Sequence, residues 1–384
     1  MPQRKTSFPA ARAFTTARAH PASLVHPVSL AHPAALALLA ALALLAVLAL
    51  AAPASAGCAP AEPGYVIKGR VVDASTGEAL PHCNVFLAST TLGGVTDLEG
   101  KFSLREITGG RYELVANRVG YHAFVESLEL PADAARIWTI RLQQKPVEVG
   151  EMTVLAEIPR AWQAQLARFK RDFIGETRNS SHCSIDNPEV LRFQSAPGSP
   201  EMTAASDSTL QVTNRALGYR LHIVLESFCW GGLEGYYKIY PRFESLMPED
   251  TREQERWQEN RTRTWLGSFR HFISVLVTGE AEQAGYELYL RSLDSRRQGQ
   301  DDRIFSSAVV EMTPGLGCKL RFSGMLEVHY HGEISQIHLK QNFVMIEANG
   351  DVYPPLSVVL YGYWAQQRIA DTLPLDFHWT PNAR

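Results

Sequence analysis

Cysteine is scarce in this sequence and never closely paired. Cys58, Cys83, Cys183, Cys229 and Cys318 are the five among 384 residues, and no Cys-x-x-Cys or close repeat suggests a zinc ribbon or a redox motif. Charge of one sign is lacking too. Lys and Arg total 37 against 40 Asp and Glu, so no net field draws the chain to nucleic acid or an anionic membrane, and such binding would need a local patch. The short signatures of catalysis are also missing. There is no His-x-x-Glu or His-Glu-x-x-His pair for catalytic zinc, no Gly-x-Ser-x-Gly elbow, no Walker loop and no EF-hand loop. The common designs of peptidase, serine hydrolase, nucleotide-binding loop and calcium loop are thereby excluded.

What is present is length for two or three domains, each able to bury a core, with 45% apolar and 20% charged residues. Part of the apolar share is one run, Ala34 to Ala52, built almost wholly from Ala, Leu and Val. It follows Arg4, Lys5, Arg12 and Arg18 with no acidic residue between them, the layout of a secretory signal. Ala has a weak transfer energy, so the run suits a cleaved h-region better than a permanent anchor. Ala54-Ser55-Ala56 fits an ordinary signal peptidase. Ala56-Gly57-Cys58 resembles a bacterial lipobox, in which Cys58 is acylated and begins the mature chain, although Ser55 stands where Leu is usual. Both exits are open; the Ala- and Pro-rich stretch Ala59 to Gly64 suits a tether and inclines the reading to a lipid anchor at Cys58. His20-Pro21, His26-Pro27 and His32-Pro33 read as low complexity in a discarded segment rather than as a metal tract. Residues 1–57 are thus a signal segment and 58–64 a tether. An exported chain can form disulfides, and the four later cysteines permit three pairings among which spacing does not choose.

From Tyr65 to Gln143 the text alternates and turns at short intervals, which signals an all-β module. Strands are expected at Tyr65 to Asp73, Asn84 to Ser89, Lys101 to Leu104, Arg111 to Val115, Ala123 to Leu130 and Arg136 to Leu142, about seven in all, the number for a small sandwich. Turns fall at Ser75-Thr76-Gly77-Glu78, Asp97-Leu98-Glu99-Gly100 and Gly109-Gly110. Gly69-x-Val71-x-Asp73, Thr76-Gly77-Glu78-x-Leu80-Pro81, Asn84-Val85, Thr96-Asp97-x-x-Gly100-x-Phe102, Gly110-x-Tyr112 and Gly120-Tyr121 resemble, in family order, the carboxypeptidase regulatory-like domain. That resemblance implies a transthyretin-like or carbohydrate-binding-like sandwich. Such domains stand beside carboxypeptidase catalytic domains and at the N-termini of large outer-membrane receptors. It implies no catalysis, because the matched residues are turn glycines and core apolars.

Residues 144–158 read as a linker and 159–384 as a second, β-rich domain. Trp162, Leu166, Phe169 and Phe173 line one face of a helix near 160–174. Ser195 to Ser208 reads as an exposed polar loop. Strands are expected at Leu210 to Ala216, Tyr219 to Phe228, Tyr236 to Phe243, Tyr286 to Leu293, Arg303 to Met312, Lys319 to Phe322, Met325 to Tyr330, Gln336 to Ile346 and Ser357 to Tyr363. One long helix is expected over 250–278, with Asp250 and Glu253 in capping-box spacing and Gly279 as its stop. Cys183-x-Ile185-x-Asn187-Pro188, Ala216-Leu217-Gly218-Tyr219 and Trp257-x-x-Asn260-Arg261 with Gly267-Ser268-x-x-His271-Phe272 are similar to small envelope proteins that pair this region with the same regulatory-like domain. The expected class is mainly β: a sandwich followed by a larger antiparallel α+β domain.

His329-Tyr330-His331-Gly332-Glu333 is the best metal candidate, since on a regular strand His329, His331 and Glu333 share a face. Strand twist and a turn at Gly332 would carry Glu333 away, so no metal and no cofactor is expected. His271 reads as a satisfied histidine on a packed helix. Arg256, Arg261, Arg263 and Arg270 with Trp257 and Trp265 read as a solvated helix face, because Glu253, Glu255 and Glu259 interleave. Tyr112, Tyr121 and Trp138 are candidate sugar platforms better read as core or rim. The leading expectation is a non-catalytic exported envelope protein that binds protein or glycan, with no nucleic-acid partner and membrane contact only through a lipid anchor. The alternative is a metal-dependent hydrolase with its site in the second domain.

Overall fold

The computed structural model describes residues 64–146, 160–195, 199–231, 234–291, 303–313 and 317–380. All belong to one unit, Glu62–Arg384. The signal segment, Cys58 and most of the expected linker lie outside the described residues.

Alternation builds the first domain. Strands β1 (Tyr65–Asp73), β2 (Asn84–Leu87), β3 (Gly93–Val95), β4 (Lys101–Ile107), β5 (Gly110–Asn117), β6 (Phe124–Leu130) and β7 (Ile137–Leu142) form a 3-stranded sheet, β4-β1-β7, and a 4-stranded sheet, β3-β2-β5-β6. Every second residue of β7 is buried, as are Phe102 and Leu104 of β4, and Phe102, Leu104, Trp138 and Ile140 meet Leu114 and Leu128 of the facing sheet in one core. The expected seven-stranded sandwich is therefore present. β7 lies parallel to β1, from Lys68↔Ile137 to Asp73↔Leu142. Gly100, at φ 74, is required: a Cβ there would lie 2.5 Å from the Val71 carbonyl oxygen.

The outer face of β2 and β5 is not left to water. Phe86, Ala88 and Val115 are buried against Tyr240 of the second domain. The backbone of Ser89 donates to Pro241 (2.6 Å) and accepts from Leu375 (2.6 Å), and Phe243 donates to Thr90 (2.8 Å). The sandwich is docked by apolar burial and by main-chain bonds together.

The second domain carries three sheets. Strands β8 (Cys183–Ile185), β9 (Leu191–Gln194), β10 (Met202–Ser206), β11 (Leu210–Asn214), β12 (Tyr219–Gly231) and β13 (Glu234–Ser245) make the first, with the order β8-β11-β12-β10-β9 and β13 along the other edge of β12. Helix α1 (Arg160–Phe169) and the π turn Lys170–Ile174 cover it, with Phe169 and Phe173 stacked at 4.7 Å and Gly175 ending the run. The helix expected near 160–174 is there, and its aromatic stripe is core.

Helices α2 (Thr251–Trp265) and α3 (Phe269–Thr278) precede the rest: β14 (Tyr286–Arg291), β15 (Arg303–Ile304), β16 (Val310–Thr313), β17 (Gly317–Leu320), β18 (Met325–Tyr330), β19 (Glu333–Leu339), β20 (Val344–Ile346), β21 (Val352–Tyr353), β22 (Val358–Gly362) and the short helix α4 (Tyr363–Gln366). They form sheets β15-β14-β18-β19-β22 and β16-β17-β20-β21, with a core of Phe272, Ile273, Leu276, Tyr286, Leu326 and Ile337.

Several expectations are corrected. The single helix over 250–278 is two. Leu266 is extended, Gly267 takes φ 78, and Ser268 starts a fresh helix by accepting the His271 N–H. At this left-handed position a Cβ on Gly267 would stand 2.7 Å from the Tyr330 ring, so the bend admits no side chain there. The stretch Ser195 to Ser208 is not wholly a loop, because it contains β10, whose Met202 and Ala204 are buried. Arg303 to Met312 is interrupted by the 3-10 turn Ser306–Ala308, and Gln336 to Ile346 splits into β19 and β20 in different sheets. Cys83, Cys183, Cys229 and Cys318 are all free thiols, so none of the three pairings is made.

Candidate functional site

The histidine constellation does not converge. β18 and β19 form a hairpin in which Tyr330 pairs with Glu333, leaving His331 and Gly332 as a two-residue loop at φ 46 and φ 90. Positive φ at both positions is the type I′ geometry that matches strand twist. His331 has thus left the strand. His329 stays in it, its ring tilted against that of Tyr289 at 4.7 Å and bonded through Nε2 to Glu327 (3.0 Å), while Glu333 is exposed. Burial alone would raise the Glu327 carboxyl; Arg291, Gln336 and His329 outweigh it and hold the group at about 2. Among the described residues no group of three or more His, Cys, Asp or Glu is arranged to hold a metal ion.

His271 is 4% exposed and spends Nδ1 on two donors, the Gly267 N–H (3.2 Å) and the Tyr286 hydroxyl (2.8 Å). A backbone N–H can only donate, so Nδ1 is an unprotonated acceptor. Burial pushes the imidazole down to about 4. The arginine cluster is not one solvated face. Arg256 does pair with Glu253 (3.2 Å), but Arg261 lies 4.1 Å over the Tyr219 ring and donates to Leu217 O. Arg270 binds the carbonyls of Asn349, Leu373 and Pro374, and burial lowers it to about 10. Both cations hold distant backbone in place and are not offered to a ligand. Trp138 and Tyr112 are core residues, leaving Tyr121 as the one rim aromatic of the three candidates.

The sequence reading overlooked Asp73, which organises one end of the sandwich. Its Oδ1 accepts from the N–H groups of Ser75 (2.7 Å) and Thr76 (3.0 Å), and its Oδ2 from the Tyr121 hydroxyl (3.0 Å) and the Gln144 amide (2.8 Å). The Thr76 N–H, then the Gln144 amide and the Ser75 N–H, hold this carboxyl down at about 2 against the cost of burial. His122 N donates to Gln143 O and Lys145 N to Gly120 O, both at 2.8 Å, so the segments around 120 and 144 are zipped together. The Asx turn at Asp73-x-Ser75-Thr76 is visible locally. Its partners 48 and 71 residues away are not.

This zipped end borders a groove of about 470 Å³ between sandwich and second domain. Asn84, Asn117, Arg118, Tyr121, His122 and Lys145 line one side, and Ser206 to Thr209, Val224, Glu226 and Tyr240 the other. Asn117 reaches across to the Thr209 hydroxyl (2.8 Å) and ties the two walls. Two carboxylates of the lining are engaged elsewhere, Asp207 with Arg192 (2.5 Å) and Glu226 with Lys238 (3.0 Å). A second open groove, of about 630 Å³, has Arg263, Tyr330, His331 and Trp379 in its lining.

Comparison with known proteins covers one segment of the chain. Residues 67–154 match the CarboxypepD_reg-like domain, so the sandwich is a domain of that regulatory type. No curated protein matches the chain. Among solved structures it is similar to a cohesin-X-dockerin complex of Acetivibrio cellulolyticus, at 18% identity and TM-score 0.18, over 21% of this chain and 58% of that one. It is similar to a group B streptococcus pilus 2b backbone protein at 16% identity and TM-score 0.19, over 21% of this chain and 42% of that one. It is also similar to 3-chlorocatechol 1,2-dioxygenase of Rhodococcus opacus at 14% identity and TM-score 0.17, over 22% of this chain and 61% of that one. In each case this chain covers less than two thirds of the other, and likenesses of this size carry nothing about ligand or activity.

Proposed function

We propose that this chain is a non-catalytic exported protein of the bacterial envelope, held by a lipid on Cys58, whose groove between sandwich and second domain binds a protein or glycan of that compartment. The groove carries the reading. Its lining mixes polar and apolar groups, both domains contribute to it, and groups around it are spent on construction: Asp73 on four donors, Asn117 on the opposite wall. The signal-like segment before Cys58 and the regulatory-like type of the sandwich support the compartment and the absence of chemistry.

The test is a pulldown from envelope extract and a glycan array with the purified chain from Ala59 onward, beside a variant whose groove is filled by Ala123→Trp and Ser208→Trp. Both replaced residues border the groove. The wild type is expected to retain a binder that the filled variant loses at unchanged melting temperature. Metal-dependent turnover of peptide, ester or glycoside substrates by the wild type would overturn the non-catalytic reading, and full binding by the filled variant would remove the groove from it.

A further inference from the structure

Resting on the groove as the binding site, we infer that its ligand is an acidic glycan, a hydroxyl-rich chain bearing carboxylates. Three features of the lining point there. The first is the charge balance. Asp207 and Glu226 are neutralised by Arg192 and Lys238, whereas Arg118 and Lys145 have no carboxylate within ion-pair distance among the described residues. Arg118 instead leans on the Tyr121 ring at 5.6 Å and lies against the Cys83 thiol. The groove therefore presents two uncompensated cations, and a carboxylate entering between them gains charge-assisted hydrogen bonds without displacing an existing ion pair.

The second feature is what else lies in the groove. Asn84, Ser206 and Ser208 supply an amide and hydroxyls of the kind that sugar hydroxyls match, beside Asn117, Thr209 and Tyr121, whose bonds hold the groove together. The third is the kind of apolar surface. Val119, Ala123, Val125, Val224 and Leu225 contribute short side chains. A protein ligand draws most of its affinity from aromatic or Arg anchors sunk in deep apolar pockets, which this lining does not form. A groove of mixed polar and short apolar side chains with these two cations suits a polymer that binds through many weak contacts.

Asp73 has a defined part in this. By holding Tyr121 and Gln144 it fixes both segments that carry the cations, Arg118 to His122 and the adjoining Lys145, on one wall of the groove. It is a positioning residue and its own charge is fully engaged.

The probes are polygalacturonate, the same polymer with its carboxyls reduced to alcohols, and poly-glutamate, each titrated into the chain from Ala59 onward at low and at physiological salt. Polygalacturonate is expected to bind, to weaken as salt rises, and to lose about tenfold or more on carboxyl reduction. Arg118→Gln with Lys145→Gln should lose about tenfold at unchanged melting temperature, while Arg118→Lys with Lys145→Arg keeps binding. Equal binding of the reduced polymer, unchanged binding by the Gln pair, or poly-glutamate binding as tightly as polygalacturonate overturns the acidic-glycan inference. If none of the three polymers binds but envelope extract still yields a partner that the filled-groove variant loses, this inference fails and the groove reading stands. A partner retained by the filled variant removes both.

Discussion

His271 is held neutral by its surroundings, and that neutrality has a cost in acid. Its folded pKa of about 4 lies below the ordinary 6.5, so between those values the unfolded chain binds a proton that the folded chain refuses. The stabilisation is complete above pH 6.5 and is lost as pH falls through about 4. Thermal unfolding should show a melting temperature that drops over this window, and His271→Phe should flatten the drop. The same variant should lower stability at pH 7.5 by roughly 1–3 kcal/mol, because the Gly267 N–H and the Tyr286 hydroxyl lose their acceptor. A wild-type acid limb that survives in His271→Phe would assign the pH dependence to other groups.

At the scale of elements, the β18–β19 hairpin separates a structural histidine from a ligand. His331 sits at φ 46, where a β-branched residue is strained and Asn is at ease. His331→Val should therefore destabilise by roughly 1–2 kcal/mol while His331→Asn costs nothing or gains a few tenths. A metal ligand would lose equally in both, and added zinc would then raise the wild-type melting temperature alone. The difference between this hairpin and a regular strand also marks what the sequence makes legible. Alternation placed β1 and β4 to β7 within a few residues, and local spacing placed the Asp250 cap and the Gly279 stop, because each depends on neighbours in the chain. The close packing at Gly267 is against Tyr330, far along the chain, and β10 is polar in text yet buried through pairing with β9 and β12. Arg270 reads as a helix-surface cation until Leu373 and Pro374, 103 and 104 residues on, arrive to bind it. The groove was illegible for the same reason, since its walls belong to distant segments. Its rim residue Tyr121 was visible, without its anchor.

At the scale of the whole molecule, the sandwich carries a second apolar face for the domain it docks on. Residues 65–146 expressed alone are expected to fold, since their core is internal, but to expose Phe86 and Val115. The isolated domain should bind a hydrophobic dye that the full chain ignores, and Phe86→Ser with Val115→Thr should reduce that signal at retained strand-type circular dichroism. An isolated domain that is disordered would make docking a condition of folding. Glu113, Glu347 and Asp351 are all raised by burial first, and the Asp351 charge raises Glu113 and Glu347 further. Their sign is opposite to that of His271: their contribution is full below the ordinary carboxylate range and is lost as pH rises through their folded values.

The parallel pairing of β1 with β7 gives the sandwich a mechanical character. Its first and last strands run the same way and share six register pairs, from Lys68↔Ile137 to Asp73↔Leu142. Tension applied at Tyr65 and Leu142 pulls these strands in opposite directions along their length. The hydrogen bonds between them are then loaded together, in shear, instead of opening one after another from an end as a peeled hairpin does. A domain loaded this way resists extension through the height of its unfolding barrier rather than through its equilibrium stability.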